Sequence, residues 1–268
     1  MKALVLGAGG QLGKELVRLL GPETGVTHRE VSITDAAAVD LLIAQRRADV
    51  VFNCAAYNAV DGAESESDLA FAVNATGPKN VAVACRRIGV SLVHFSTNFV
   101  FDGEHDQPYL EADQPEPISI YGASKLAGER GVLEAGGHVL VMRTAAVFGG
   151  PASFPMRILE RARTGQPLRV VSDQRVNPTY TRDLANEAVR LATEGAAGIV
   201  HAVAEGCCGW DELARAVISE AGLDVPVESI PTSVYPTPAR RPVNGCMAST
   251  RIAHLRPWPE ALHEALNP

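Results

Sequence analysis

The opening run ALVLGAGGQLGKELVRLL constrains the fold more than any other stretch of the chain. A short apolar segment, Ala3–Ala8, leads directly into glycines at Gly7, Gly10 and Gly13, and then into apolar residues at helical spacing. In a strand that feeds a helix through GxxGxxG, each missing side chain has a use. The turn is tight, a pyrophosphate approaches the backbone, and helix packs closely on strand. The helix start then offers unpaired N–H groups and a partial positive charge to an anion, with Gln11 and Leu12 in its first turn.

The same rhythm continues downstream. ADVVFNCAA (Ala48–Ala56), VSLVHFST (Val90–Thr97) and HVLVMRTAAVFG (His138–Gly149) read as strands buried on both faces, with helical stretches such as AFAVNATGPKNVAVACRRIG between them. This alternation predicts an α/β fold, a doubly wound parallel Rossmann sheet that binds a dinucleotide. From about Gly150 the pattern loosens into proline-rich connections and an isolated amphipathic helix, WDELARAVISEAGL (Trp210–Leu223). The expected division is an NAD(P)-binding Rossmann domain over residues 1–150. A smaller C-terminal substrate-binding lobe takes most of residues 151–268, with some segments returning to the first domain.

At 268 residues and 46% hydrophobic, the chain has room for that core, and no window approaches a membrane span. It starts on a strand-like run, so a cytoplasmic protein without a signal peptide is expected. Five cysteines, Cys54, Cys85, Cys207, Cys208 and Cys246, show neither an even count nor CxxC spacing and are expected to be reduced thiols. A net charge of −7 argues against nucleic acid or an anionic membrane as partner, so an anionic ligand must be met by local basic groups.

The second strand ends near GVTHREVSITD, where an acid would favour NAD and an arginine would accept the 2′-phosphate of NADP. Arg29 precedes Glu30 and tips the expectation to NADPH, with NADH as the alternative. Further on, FSTNFVFDG places Thr97 at the end of a core strand, and YGASK places Tyr121 and Lys125 one helical turn apart. A phenol beside a cation is a proton donor whose phenolate can be stabilised. Thr97 is expected to hold a substrate carbonyl, Tyr121 to protonate the alkoxide formed by hydride transfer, and Lys125 to lower the tyrosine pKa. Ser96 is the competing hydroxyl, and strand alternation sends the two to opposite faces.

These residues resemble the extended short-chain dehydrogenase/reductase superfamily and, more narrowly, the dTDP-4-dehydrorhamnose reductase family. GAGGQLGKEL, NCAAYNAVDGAESE, FAVNATGPKNVA, STNFVFDG, PISIYGASKLAGE and YPTPARRPVN carry the resemblance over nearly the whole chain. It implies cofactor contacts at Ser32, Ile33, Ala55, Ala56 and Tyr57, and substrate contacts at Val60, Asn98, Ala146, Arg240 and Arg241. The two arginines sit among prolines that keep the backbone extended, suited to presenting guanidinium groups to a diphosphate. The implied substrate is a dTDP-sugar, and the implied assembly a monomer or homodimer. Glu15 and Glu264 align loosely with acids that some members place around an interface metal, but read as solvated helix charges here, so no metal is expected.

The resemblance breaks at particular positions. The family's STDYVF is STNFVF here, so Asn98 stands for an aspartate and Phe99 for a tyrosine. Its RTSWVYG is RTAAVFG, with Ala145, Ala146 and Phe148 replacing serine, tryptophan and tyrosine. Ser32 begins the segment usually read DITD, and NGCM follows the arginines in place of NSxL. Losing the tryptophan removes a flat wall, and Asn98 adds a donor to a group otherwise acceptor-only. The rhamnose precursor and another 4-keto-deoxysugar nucleotide both stay open. A regulatory subunit like the methionine adenosyltransferase β subunit, and a reductase of a carbonyl without a nucleotide, are the alternatives of other classes.

Overall fold

The computed structural model describes residues 1–267. Its framework begins with β1 (Ala3–Leu6), α1 (Gln11–Leu20), β2 (Gly25–Val26), α2 (Ala36–Arg46), β3 (Val50–Asn53), α3 (Val60–Ala63) and α4 (Ser67–Phe71). It continues with α5 (Gly77–Ile88), β4 (Ser91–Thr97), α6 (Ile120–Ala135) and β5 (Val139–Thr144). Together with a strand at Gly198–His201, these form one sheet in the order Gly198–His201, β5, β4, β3, β1, β2, and every pairing in it is parallel. The strands are apolar on both faces because both faces are covered. α1 and the helix Thr181–Thr193 bury Val5, Leu16, Phe52, Leu140 and Leu184 on one side; α2, α5 and α6 bury Leu4, Ile43, Val81, Leu92 and Val132 on the other.

A second apolar cluster joins the parallel strands Leu168–Val171 and Val227–Ile230 to the helices Phe154–Ala162, Trp210–Glu220 and Trp258–Leu266. Between its parts the chain returns to the large sheet through Thr181–Thr193 and Gly198–His201. β4 and β5 end in register, Thr97 opposite Thr144, on the same sheet edge where β1 runs into the glycine loop. Ligands bind at that edge in doubly wound sheets.

Two local departures from the sequence pattern have physical causes. The apolar run His138–Gly149 does not stay one strand. β5 stops at Thr144, Ala146 takes φ 42°, and Val147–Phe148 leaves to pair with Thr179–Tyr180. A left-handed alanine costs about 1 kcal/mol or more and is found where a site demands it. The helix expected over Ala70–Gly89 is interrupted by a π turn at Ala72–Thr76. There Asn74, fully buried, bonds the backbone N and O of Tyr57 at 2.8 and 3.0 Å and the Ser124 hydroxyl at 3.0 Å.

The cysteine expectation is corrected. Cys207 and Cys246 form a disulfide with Cα atoms 6.0 Å apart, while Cys54, Cys85 and Cys208 are thiols. Parity and CxxC spacing carry no signal for loops 39 residues apart that Arg175 brings together. The Arg175 backbone bonds Val243 and Gly245, each at 2.8 Å, and pairs with Gly209. Among the described residues no helix is long and apolar enough to cross a membrane.

Candidate active site

The glycine loop, the end of β4 and the start of α6 enclose a cavity of about 310 Å3. Gly10, Gln11, Leu12 and Gly13 line one end; Ala55, Ala56, Val60, Thr97, Asn98, Tyr121, Lys125 and Ala146 line the rest. The remaining sequence candidates lie outside this lining. Gly7, at φ 77°, sits against the backbone of Ala55, where a Cβ would meet Ala55 N at 2.6 Å. Ser32 is exposed and bonded to Thr34, and Ile33 is buried in the core against Gly77. Tyr57 is tied through its backbone to Asn74 and through its hydroxyl to Glu66. Arg240 is exposed, and Arg241 lines a second cavity.

The loop end suits a dinucleotide. Gly10 caps α1 without any side-chain hydrogen bond, so the first N–H groups of the helix face the cavity uncapped. Beyond β2, the Glu30 carboxylate turns back to the N–H and hydroxyl of Thr27, each at 2.8 Å, and these bonds lower its pKa. Arg29 beside it is exposed and makes no ion pair among the described residues. The acid is thus engaged and the cation free, which suits a 2′-phosphate.

At the reaction centre, Ser119 caps α6 by accepting from Gly122 N at 3.1 Å. Gly122 lies so close to the Phe99 carbonyl that no Cβ fits, which presses Tyr121 against the turn after β4. The Tyr121 ring meets Phe99 edge-on at 5.4 Å, and its hydroxyl lies 3.5 Å from Asn58 Oδ1. Burial pushes the phenol up to about 12, against a downward pull from the Thr97 hydroxyl. Thr97 accepts from Phe99 N at 3.2 Å and donates to Asn98 Oδ1 at 3.3 Å. Ser96 also lines the cavity, but its hydroxyl has no partner.

Lys125 departs from the sequence expectation. Its ammonium donates to the Phe95 carbonyl at 2.7 Å, and burial draws it down to about 8 against the opposing pull of the Glu129 carboxylate. The phenol pKa is raised, not lowered as the YxxxK spacing implied, because burial outweighs the pull of the Thr97 hydroxyl. Tyr121 is therefore fully protonated near neutrality, the form a proton donor needs.

A second cavity of about 410 Å3 shares Asn98 and Phe99 with the first. Arg157, Arg161, Arg169 and Arg241 line it beside Phe154, Trp210 and Tyr235. Asp61 holds Arg241 in a two-point fork at 2.8 and 3.1 Å and accepts from Ala239 N, tying the proline-rich strap to α3. Sequence reasoning missed Arg157, Arg161 and Arg169. In MRILERARTG, Arg157 and Arg161 look like the solvated face of an amphipathic helix, with their i, i+4 spacing beside Phe154 as the signal, and Arg169 sits exposed on the strand Leu168–Val171.

Asn98 stands where the cavities meet. Its oxygen accepts a hydrogen bond from the Thr97 hydroxyl, while Nδ2 has no protein acceptor among the described residues and is not sealed from solvent. Gly245 makes room for that amide, since a Cβ there would collide with Nδ2. Two departures from the family pattern, at Asn98 and at NGCM, are therefore one steric unit. Elsewhere, Glu264 accepts from Arg182 and Arg256, and Glu15 from Arg18. Among the described residues no group of His, Cys, Asp or Glu side chains could hold a metal.

Comparison with known proteins agrees with this geometry. The sequence profile of the RmlD substrate binding domain matches residues 1–268. The dTDP-4-dehydrorhamnose reductase of Mycobacterium tuberculosis (strain H37Rv) is 40% identical, over 99% of this chain and 92% of that protein. The spore coat polysaccharide biosynthesis protein SpsK of Bacillus subtilis is 40% identical over 99% and 96%. The crystal structure of dTDP-4-dehydrorhamnose reductase from Bacillus anthracis in complex with NADP superposes with a TM-score of 0.96 at 33% identity, covering 100% of this chain and 99% of that one. With the glycine loop, the YxxxK helix and the arginine-lined cavity in place over its full length, the chain belongs to the RmlD substrate binding domain family.

Proposed function

We propose that the protein reduces the 4-keto group of a dTDP-activated deoxysugar, with dTDP-4-keto-L-rhamnose as the first substrate to test and NADPH as reductant. The observation that carries this reading is the junction at Asn98 and Phe99. A cavity with a dinucleotide loop and a tyrosine acid opens there beside one lined by four arginines and a tryptophan. A nucleotide sugar fits that plan, with diphosphate toward the guanidinium groups, base against the rings of Phe154 and Trp210, and sugar at the junction.

NADPH bound along the glycine loop supplies a hydride to the carbonyl carbon. The chain's own residues do the remainder. Thr97 holds the carbonyl oxygen, Tyr121 gives that oxygen its proton, and Lys125 offers a cation to the phenolate left on the tyrosine. The uncapped start of α1 binds the pyrophosphate, and exposed Arg29 favours the 2′-phosphate. Asn98 Nδ2 is a free donor to a sugar oxygen. Ala146 leaves open space where a tryptophan wall is usual in the family, and these two features favour a sugar that differs from the rhamnose precursor as the second candidate.

The test is NADPH consumption with dTDP-4-keto-L-rhamnose beside a Tyr121→Phe control. Turnover that falls about 10²–10⁴-fold in the variant is expected. Absence of turnover with this sugar and with other 4-keto-deoxysugar nucleotides, while NADPH still binds, overturns the reading.

A further inference from the structure

Beneath the catalytic strand end lies a charge pair that the reaction as described does not use. Glu129 follows Lys125 by one turn on the same face of α6, and the two are 1% and 3% exposed. Arg143, in register with Ser96 of the neighbouring strand, closes a fork on Glu129 at 2.7, 3.0 and 3.2 Å, and is itself 2% exposed. Arg143 reaches on to His201 Nε2 at 3.4 Å and lies over the Phe101 ring. A fully buried ion pair is a weak source of stability, because desolvating both charges offsets their attraction. Its place, one turn behind a catalytic lysine, suggests another use.

We propose that Glu129 is a positioning residue that keeps Lys125 charged in its buried site, with Arg143 fixing the carboxylate and limiting its pull. The reasoning is electrostatic. Burial removes most of the water that would solvate the Lys125 ammonium, and one carbonyl, that of Phe95, replaces it. A lysine in such a place tends to release its proton and would then offer no cation to the tyrosinate. A carboxylate one turn away reverses that tendency. An unpaired carboxylate would hold the ammonium more strongly and add its own desolvation cost, and the Arg143 fork tempers both.

Every other titratable group packed around Lys125 is less suited to the task. Tyr121 on α6 is protonated, and Cys54 at the end of β3 is held as a thiol by burial. His94 on β4 is held neutral, its Nδ1 facing Asn53 and its Nε2 without a partner. On α3, Asp61 is paired with Arg241, and Glu64, just past its end, bonds the Ile120 N–H at the start of α6. On α4, Glu66 of the preceding turn holds Tyr57 and Asp68 is exposed. On α5, Lys79 lies against Gly131 and Arg86 against Gly136, at the far end of α6. Glu129 is thus the carboxylate placed to act.

The role assigned to Lys125 rests on the reductase reading, so the test reads Lys125 directly and needs no substrate. Lys2, Lys14, Lys79 and Lys125 are the lysines of the chain, and 13C-lysine labelling with Lys125→Met for assignment isolates one NMR signal. Glu129→Gln is expected to lower the pH at which Lys125 titrates by about 1 unit, and Arg143→Gln to raise it. The double variant Glu129→Leu/Arg143→Met leaves no unpaired charge and is expected to fold, with a smaller downward shift than Glu129→Gln. Opposite shifts in the single variants support the proposal, since a merely structural pair would move Lys125 the same way in both. An unchanged titration, or shifts of one sign, overturns it. Where a single variant does not fold, an unchanged Lys125 in the folded double does so. Loss of turnover in the wild-type chain would discard the reductase reading and leave this titration standing.

Discussion

Replacing Lys125 by methionine should inactivate the protein and stabilise it at the same time. Lys125 is 3% exposed, and burial draws its pKa from 10.5 to about 8. At about 1.4 kcal/mol per pH unit, the charged form costs the folded state about 3 kcal/mol near pH 7. Losing the bond to the Phe95 carbonyl gives back about 1 kcal/mol, so a net gain of about 2 kcal/mol is expected for Lys125→Met at pH 7. The sign follows from proton counting. Below about pH 8 folded and unfolded chains both carry the proton, and the folded chain bears the whole cost. Between about 8 and 10.5 the unfolded chain binds the proton that the folded chain has released, so wild-type stability rises with pH relative to the variant. The gain of about 2 kcal/mol should fall away and become a deficit of about 1 kcal/mol near pH 10.5. Denaturant unfolding of both proteins at pH 7 and 10.5 measures the difference directly, and other titrating groups largely cancel in the comparison. A difference that is constant with pH, or that grows toward alkaline pH, refutes the reasoning.

Gly245→Ala should leave the fold intact but displace the Asn98 amide, lowering kcat/KM for the sugar nucleotide about 10-fold or more with little change in KM for NADPH; Asn98→Gly in the same chain should restore space without restoring affinity. Arg241→Ala should raise the sugar-nucleotide KM about 10-fold or more, because the guanidinium lines the second cavity, whereas Arg240→Ala should change it less than about 2-fold. Cys207→Ser should cost about 2–4 kcal/mol in denaturant unfolding, and reductant should bring the wild-type chain to the same midpoint, since the disulfide closes a loop of 39 residues.

Much of this architecture was legible because short-range chemistry imposes it. The glycine loop needs bare backbone at Gly7, and the strands β1, β3 and β5 need apolar residues over most of their length once both faces are covered. Thr97, Tyr121 and Lys125 announced themselves through an order and spacing that the sheet edge then brings together. What stayed hidden depends on distant segments meeting. Arg157, Arg161 and Arg169 line a cavity only because Arg241 and Trp210 close over them from later in the chain. The Cys207–Cys246 bond depends on two loops meeting at Arg175, which no count of cysteines contains. The direction of the Tyr121 shift was misread for a related reason: spacing places a cation one turn away, whereas the burial that sets the shift is a property of the packed whole. Ala146 illustrates the same limit, since nothing in RTAAVFG marks its backbone as left-handed.

The most direct test of the central claim follows the hydride itself. Incubating the protein with dTDP-4-keto-L-rhamnose and NADPH deuterated at the transferred position, then reading the product sugar by NMR, locates the transferred atom. The account predicts deuterium on C4 of the sugar, one per NADPH consumed, and almost none transferred by Tyr121→Phe. Deuterium that stays on the nicotinamide, or that appears at any other carbon, contradicts it.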